Sequence, residues 1–359
     1  MSARKNTLYI FPTYNRLSRI ESHWKDCFFH TDFMRLYNVV VLDGTLIDHD
    51  SFLHADTHFK SVQLRRLLDL FNEGKIVDGD IFIFGNAWNY IAVPLSYFRD
   101  EYGVDIKLVG FWGNSMFNPH SPMYQRFLRK NRSTAKYLER SLYECYDLNC
   151  FLSGKQFTKF EEFFGEKLVK SSKFSITGYP FGYLKDEISK RKDIKKSDTL
   201  IMPYYLPTVD DHFYYEGLSG SQPMQKYKFV HAYKTHNHRD RYLDVLAESK
   251  ILFCFQRFEY NPVLIWEGML AGVVPMVPDI GIFSDMLPEQ YHYPESLAVI
   301  NNRNKLLNVV RRRIQMEMHI IDIMDNYKAR TKGLANEAEM MGKKYYNNTK
   351  LINIINRWQ

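Results

Sequence analysis

The chain lacks any run of about 18 apolar residues, roughly the length a helix needs to cross a bilayer, so no membrane span is expected. Its opening residues, MSARKNTLYIFPTYNR, hold too short an apolar stretch for a secretory signal, and a cytoplasmic protein is the expectation. Cysteine is scarce: Cys27, Cys145, Cys150 and Cys254 show no metal-ligand spacing, and Cys254 sits inside an apolar run, which points to free thiols in a reducing compartment and not to a disulfide framework. Two glycine motifs are missing as well. Without a GxGxxG or a GxxxxGK(S/T) pattern, the sequence argues against a standard dinucleotide oxidoreductase and a P-loop ATPase. Internal repeats and low-complexity tracts are absent. No amphipathic basic helix of the kind that docks on membranes is evident.

What is present has the balance of a globular protein, with 45% hydrophobic and 25% charged residues spread over 359 positions, more than one hydrophobic core usually organises. Two domains are therefore expected. Lys and Arg number 48 against 41 for Asp and Glu, a net charge of +7, which favours a polyanionic or nucleotide partner. Any single basic cluster reads first as solvated surface.

Short β-rich runs alternate with longer helical patterns: NVVVLDG, DIFIFGN, IKLVGFWGN, CFLSG and KFSITGYP, then, after the charge-dense segment 185–198, TLIMPYY, KFVHAY, KILFCFQ and VVPMVPD. That alternation is the mark of βαβ units on parallel sheets. The fold class is thus α/β, with two Rossmann-like halves. Residues 1–185 form the first domain and 186–335 the second, and 336–359 form a C-terminal helix returning to the first. The polar segment 185–198 reads as a linker or an exposed helix. Ligands of such sheets bind outside the carboxyl ends of the strands, so the loops after FIFG, LVGFWG, FVHAYK and LFCFQR are where chemistry is to be sought.

Two acids stand out in RFEYNPVLIWEGMLAG, Arg257 to Gly272. Asn261 stands where an N-cap belongs, Pro262 where the first helical residue belongs, and Gly272 where a left-handed residue ends the helix, which predicts a helix over 262–271. Its N-terminus suits a diphosphate, because backbone N–H groups and the positive end of the dipole point there. At about 100° per residue Glu267 falls among Val263, Leu264, Leu270 and Ala271, so no polar face exists for it to share. It either lines a cleft or reaches solvent from a crowded helix. Glu259 lies in the loop before the helix, where a carboxylate meets a ligand hydroxyl or simply pairs with Arg257.

Glu259 and Glu267, separated by seven residues across a strand, loop and helix and followed by GVVPMVPD, resemble the donor-binding half of retaining two-domain glycosyltransferases of the GT-B fold. The resemblance implies two Rossmann-like domains facing across a cleft, a nucleotide-sugar donor bound by the second, and transfer of a hexose or pentose with retention. It gives Glu259 the role beside the sugar and the reaction centre, and Glu267 the ribose hydroxyls. Tyr260 and Asn261 join the donor site by the same likeness. The chain departs from the family where IMPYYLPTVDD follows the first strand of the second domain, a place where relatives carry an Arg and a Lys; Lys234, His236, Arg239 or Arg257 would have to supply that charge. Pro262 replaces a glycine whose N–H meets phosphate in relatives, and proline has no N–H to give. A UDP-sugar is the expected co-substrate, with no other cofactor. Two DxD patterns, at Asp48–Asp50 and Asp78–Asp80, have the form of the metal-binding acids of the other glycosyltransferase fold, but the second precedes its strand instead of following it, so no metal is expected.

The segments 233–259 and 84–119 resemble a branch of these enzymes often carried by bacteriophages, some thought to glycosylate modified bases. On that reading Asn86, Trp88, Trp112 and Asn114, in FGNAWN and FWGNSMFNPHSP, bind the acceptor by hydrogen bonding and stacking. Both tryptophans read equally well as core aromatics. His120 is a candidate general base. The basic run 126–132, with Arg126 and Arg129, and the triplet Arg311–Arg313 are placed to track a phosphate backbone. The expected acceptor is a 5-hydroxymethylpyrimidine in double-stranded phage DNA. The alternatives are a transferase acting on a cell-surface glycan and a non-catalytic relative that binds nucleic acid or glycan. Oligomeric state is not legible.

Overall fold

The structure, a computed structural model, describes residues 5–14, 19–29, 32–47, 52–113, 129–165, 173–203, 209–232, 239–255, 261–298 and 305–358. The chain divides into two compact units, Met1–Tyr183 with Tyr345–Gln359, and Leu184–Lys344.

The first unit is built on six parallel strands: β1 (Thr7–Phe11), β2 (Asn38–Val41), β3 (Ile81–Phe84), β4 (Lys107–Trp112), β5 (Leu148–Phe151) and β6 (Phe174–Ile176), in the order β2-β1-β3-β4-β5-β6. The described helices between them include α1 (Arg19–Asp26), α2 (Phe52–Asn72), α3 (Ala92–Tyr102), α4 (Arg129–Cys145) and α5 (Gly154–Phe164). The parallel register explains the composition, since strands covered on both faces read as unbroken apolar runs. Tyr9 pairs with Phe82 and Phe11 with Phe84 in register, and their rings stack with centroids 4.8 Å and 4.5 Å apart. Strand β1, which the sequence reading passed over as a short apolar stretch, is thus an interior strand with all five residues buried.

The second unit has five parallel strands: β7 (Thr199–Met202), β8 (Lys228–His231), β9 (Ile251–Phe253), β10 (Val274–Pro278) and β11 (His292–Tyr293), ordered β11-β10-β9-β7-β8. Around them lie α6 (Leu184–Ser189), α7 (Val209–Ser219), α8 (Arg239–Glu248), α9 (Val263–Leu270), α10 (Lys305–Asp325) and α11 (Leu334–Tyr345). The segment expected to be a linker or exposed helix holds α6, which buries Leu184 and Ile188.

In each sheet the winding direction reverses once, between β1 and β3 and between β7 and β9, and the carboxyl ends of those strand pairs are where doubly wound sheets place ligands. The last helix, α12 (Thr349–Ile355), belongs to the first unit, while residues 336–344 stay with the second. Within the first unit Tyr179 N–H donates to the Tyr345 carbonyl at 2.8 Å, and Tyr37 Oη donates to Asn356 Oδ1 at 2.8 Å. Gly178 permits this approach: its φ is +69°, and a Cβ there would lie 2.5 Å from the Tyr345 carbonyl oxygen. Among the described residues no helix is long and apolar enough to cross a membrane.

Candidate functional site

The chain leaves β9 at the reversal point of the second sheet through the buried Cys254 and Phe255 and is described again from Asn261. Helix α9 then begins one residue later than expected. Pro262 takes the cap position with φ −77° and ψ 43°, and the Asn261 carbonyl accepts the Val263 N–H at 2.8 Å. With no N–H on Pro262 and that of Val263 already used, the start of the helix has less to offer a diphosphate than expected. The other end is as read: Gly272 has φ +74° and closes the helix. Helix α9 is buried nearly all round because both its faces are packed. Gly268 lies so close to β9 that a Cβ would meet Leu252 at 2.6 Å, and on the other side Trp266 donates its Nε1–H to the Ala338 carbonyl of α11 at 2.8 Å.

Glu267 lies in the middle of this helix and is 0% exposed, which rules out a carboxylate reaching solvent. An ionised carboxylate taken out of water is tolerated only when it is paired and hydrogen-bonded. Arg239, the first residue of α8, provides that pairing: its Nη2 lies 2.8 Å from Oε1 of Glu267. The same guanidinium is gripped by Glu187 of α6, with Nε at 2.9 and 3.1 Å from the two carboxylate oxygens and Nη2 at 2.6 Å from Oε2. Burial alone lowers the pKa of Arg239, but the charge of Glu267 and the contacts with Glu187 outweigh it and hold the guanidinium above its ordinary value. One positive charge thus serves two carboxylates. Arg239, expected to help neutralise a diphosphate, is paired here with Glu187 and Glu267.

Behind the site, Lys196 donates to the Ser249 carbonyl at 2.9 Å and the Ala271 carbonyl at 2.7 Å, joining the ends of α8 and α9. Burial lowers its pKa to about 8.

The structure brings Arg239, Glu267 and Asn261 into one unit at the reversal point. Glu259, Arg257, Tyr260, Lys234 and His236 lie outside the described residues. Sequence reasoning missed Glu187 by assigning its segment to a linker or an exposed helix, although Leu184 and Ile188, one helical turn apart, carry the signal of a buried face.

In the first unit, FGNAWN is a tight pair of turns after β3. Asn86 Oδ1 accepts the Trp88 N–H at 2.9 Å, and Asn89 Oδ1 accepts the Ile91 N–H at 3.1 Å. Such local bonds shape a loop. Asn86 is half-buried and Trp88 is nearly covered within the first core. Trp112 is a core residue, which corrects its assignment to the acceptor: it is 0% exposed, packs on Phe151 and Phe160, and donates Nε1–H to Asn149 at 2.7 Å, leaving no ring face for a ligand. Asn114, His120 and Arg126 lie outside the described residues, as does the side chain of Arg129, which opens α4. Asp78 and Asp80 serve the backbone. Asp80 accepts the N–H groups of Thr7 and Val77, and Asp78 that of Asp105. Asp48 and Asp50 lie outside the described residues.

No protein-family model and no curated protein sequence matches the chain. Among solved structures it is similar to WaaG, a glycosyltransferase involved in lipopolysaccharide biosynthesis, with a TM-score of 0.58 at 12% identity over 97% of this chain and 99% of that one. It is also similar to sucrose-phosphate synthase from Thermosynechococcus elongatus, with a TM-score of 0.53 at 12% identity over 98% and 100% of the two chains. The chain has a GT-B fold. A UDP-N-acetylglucosamine 2-epimerase is a third likeness, with a TM-score of 0.51 at 11% identity over 94% of both chains. At such identities the likeness carries the fold, and the chemistry rests on the side chains.

Proposed function

We propose that the protein is a glycosyltransferase that moves a sugar from a nucleotide-sugar donor, a UDP-sugar first among them, to an acceptor hydroxyl with retention of configuration. The observation that carries this reading is the buried, ion-paired Glu267 on the helix that follows β9 at the reversal point of the second sheet. A GT-B fold has ligands in just that place, and a carboxylate held there suits the paired hydroxyls of a ribose. A carboxylate accepts about four hydrogen bonds, so pairing with Arg239 leaves acceptor capacity for a diol, which reaches the fully buried Glu267 only once the groups covering it move aside. Glu259, eight residues before Glu267 in the sequence, takes the place beside the transferred sugar. Lys234, His236, Arg257 and Arg239 are the cations proposed for the diphosphate.

The acceptor is a 5-hydroxymethylpyrimidine in double-stranded DNA, bound by the first unit through Asn86, Asn114 and the basic run 126–132, with His120 as the base. The net charge of +7 supports a polyanionic partner.

A second acceptor, a glycan presented at a membrane surface, is favoured by one observation. Val310, Ile314 and Met318, one turn apart on α10, are 42%, 48% and 65% exposed, with Arg311 exposed beside them. Such an apolar stripe edged by arginine suits a lipid headgroup layer, and the sequence reading had found no helix of this kind.

The test incubates the protein with a panel of nucleotide sugars and three acceptors: unmodified DNA, DNA carrying 5-hydroxymethylpyrimidines, and anionic vesicles bearing a glycolipid. Sugar found by mass spectrometry on the modified base alone supports the DNA acceptor. Sugar on the glycolipid alone replaces it with the second reading. Interconversion of the nucleotide sugar into its epimer without transfer would contradict both.

A further inference from the structure

Glu187 holds Arg239 by three contacts of 3.1 Å or less, from both Nε and Nη2, and Nη2 also lies 2.8 Å from Glu267. A guanidinium held by two of its nitrogens has its plane fixed, and fork-like contacts of this kind are the most directional pairing arginine makes. The Nη2 so oriented is the atom that reaches Oε1 of Glu267. Three elements therefore meet at one guanidinium: α6 through Glu187, α8 through Arg239 and α9 through Glu267.

We propose that Glu187 and Arg239 are positioning residues that hold the Glu267 carboxylate ionised and oriented to accept the ribose hydroxyls of a nucleoside diphosphate. The proposal rests on the ribose role of Glu267 given above and extends it to the two residues that hold its carboxylate. Without Arg239 a carboxylate at a fully buried position protonates or turns away, and an acid is a poorer acceptor for a diol than a carboxylate. Without Glu187 the guanidinium keeps its charge and loses its fixed plane, so Glu267 stays paired but its oxygens no longer have one orientation.

A neighbouring ion pair provides a control. Arg191, just past α6, pairs with Asp240 at 2.6 Å and Asp244 at 2.7 Å on α8, so it ties the same two segments together without touching Glu267. If Glu187 matters only as a strap between α6 and α8, loss of the Asp244 strap should act in the same way.

The experiment measures, by calorimetry on the full chain, the affinity for UDP, GDP and ADP and for their 2′,3′-dideoxy counterparts. The wild type is expected to favour at least one ribonucleotide over its dideoxy form by roughly tenfold or more, the effect of losing a charge-assisted hydrogen bond. In Glu187→Gln that ratio should fall to about threefold or less, with the dideoxy affinity kept within about twofold. Glu187→Asp, which keeps the charge, should recover part of the ratio, and it also serves if the amide variant does not fold. Asp244→Asn should leave the ratio unchanged. A wild-type ratio in Glu187→Gln, or an equal loss in Asp244→Asn, overturns the positioning role while leaving the ribose role of Glu267 intact. A wild type that does not distinguish ribose from dideoxyribose overturns the ribose role itself, and this inference with it.

Discussion

Nη2 of Arg239 lies 2.8 Å from Oε1 of Glu267, and of the two side chains only the arginine has any contact with solvent. Removing one partner of a buried pair leaves the other desolvated and uncompensated, which costs about 3 to 5 kcal/mol. Arg239→Ala is expected to lower stability by that amount in chemical denaturation. Arg239→Ala combined with Glu267→Gln should recover a good part of it. A double variant as unstable as the sum of its parts would mean that the two residues are not energetically coupled.

The two glutamates of the Glu259–Glu267 pattern should separate in kinetics. Glu267→Ala removes an acceptor for the nucleotide and should weaken nucleotide binding by roughly 1.5 to 3 kcal/mol. Glu259→Ala should lower turnover with nucleotide affinity nearly intact. Wild-type binding and turnover in both variants would remove the pair from the site.

Trp112 should behave as a core residue. Replacement of a fully buried tryptophan by alanine costs about 3 to 5 kcal/mol, so Trp112→Ala should show that loss in denaturant unfolding of the first unit. An unchanged midpoint with a lost acceptor affinity would restore the ligand role that its burial argues against.

Gly178 has φ +69° and faces the Tyr345 carbonyl oxygen where a Cβ would stand at 2.5 Å. Gly178→Ala is therefore both strained and obstructed, and it should push the 345–359 segment away from the rest of the first unit. Hydrogen exchange of the amides in 345–359 should speed up in this variant, and unchanged protection there would contradict the contact.

Burial lowers Lys196 to about 8 from the 10.5 of an unperturbed lysine. The folded-state value lies below the unfolded one, so this group costs stability below about pH 8, and the cost is relieved as pH rises from there toward 10.5. A carbon-13 titration of the Lys196 side chain, assigned by comparison with Lys196→Arg, should have its midpoint near 8. A midpoint at the ordinary lysine value would show that the two carbonyls it caps stabilise its charged form enough to cancel the burial.

Much of the fold was legible because most of the parallel strands are buried on both faces and appear as plain apolar runs: the nine runs named in the sequence correspond to β2 through β10, of which β2, β6 and β8 are only partly covered. Strand β1 was passed over because TLYIF is only five residues long, and short apolar runs are ambiguous between strand and other buried structure. Strand β11 has two residues and no pattern to show. In the site, Glu267 was legible because a lone acid among apolar neighbours contradicts the helix around it. Its partners were not. Arg239 was recognised as a cation near the site, but whether a cation faces a ligand or a carboxylate depends on tertiary contact, and Glu187 lies 80 positions from Glu267 in the sequence. Trp112 shows the same limit, since an indole at the end of a strand reads alike whether its ring is packed or open.

The most direct measurement is calorimetric titration of the wild-type chain and of Glu267→Ala with UDP, GDP and ADP. The account predicts that at least one of them binds the wild type and that its affinity falls by roughly tenfold or more in the variant, as the loss of charge-assisted bonds to ribose requires. Absence of binding by all three, or binding that Glu267→Ala leaves unchanged, would contradict the assignment of the second unit to a nucleotide-sugar donor.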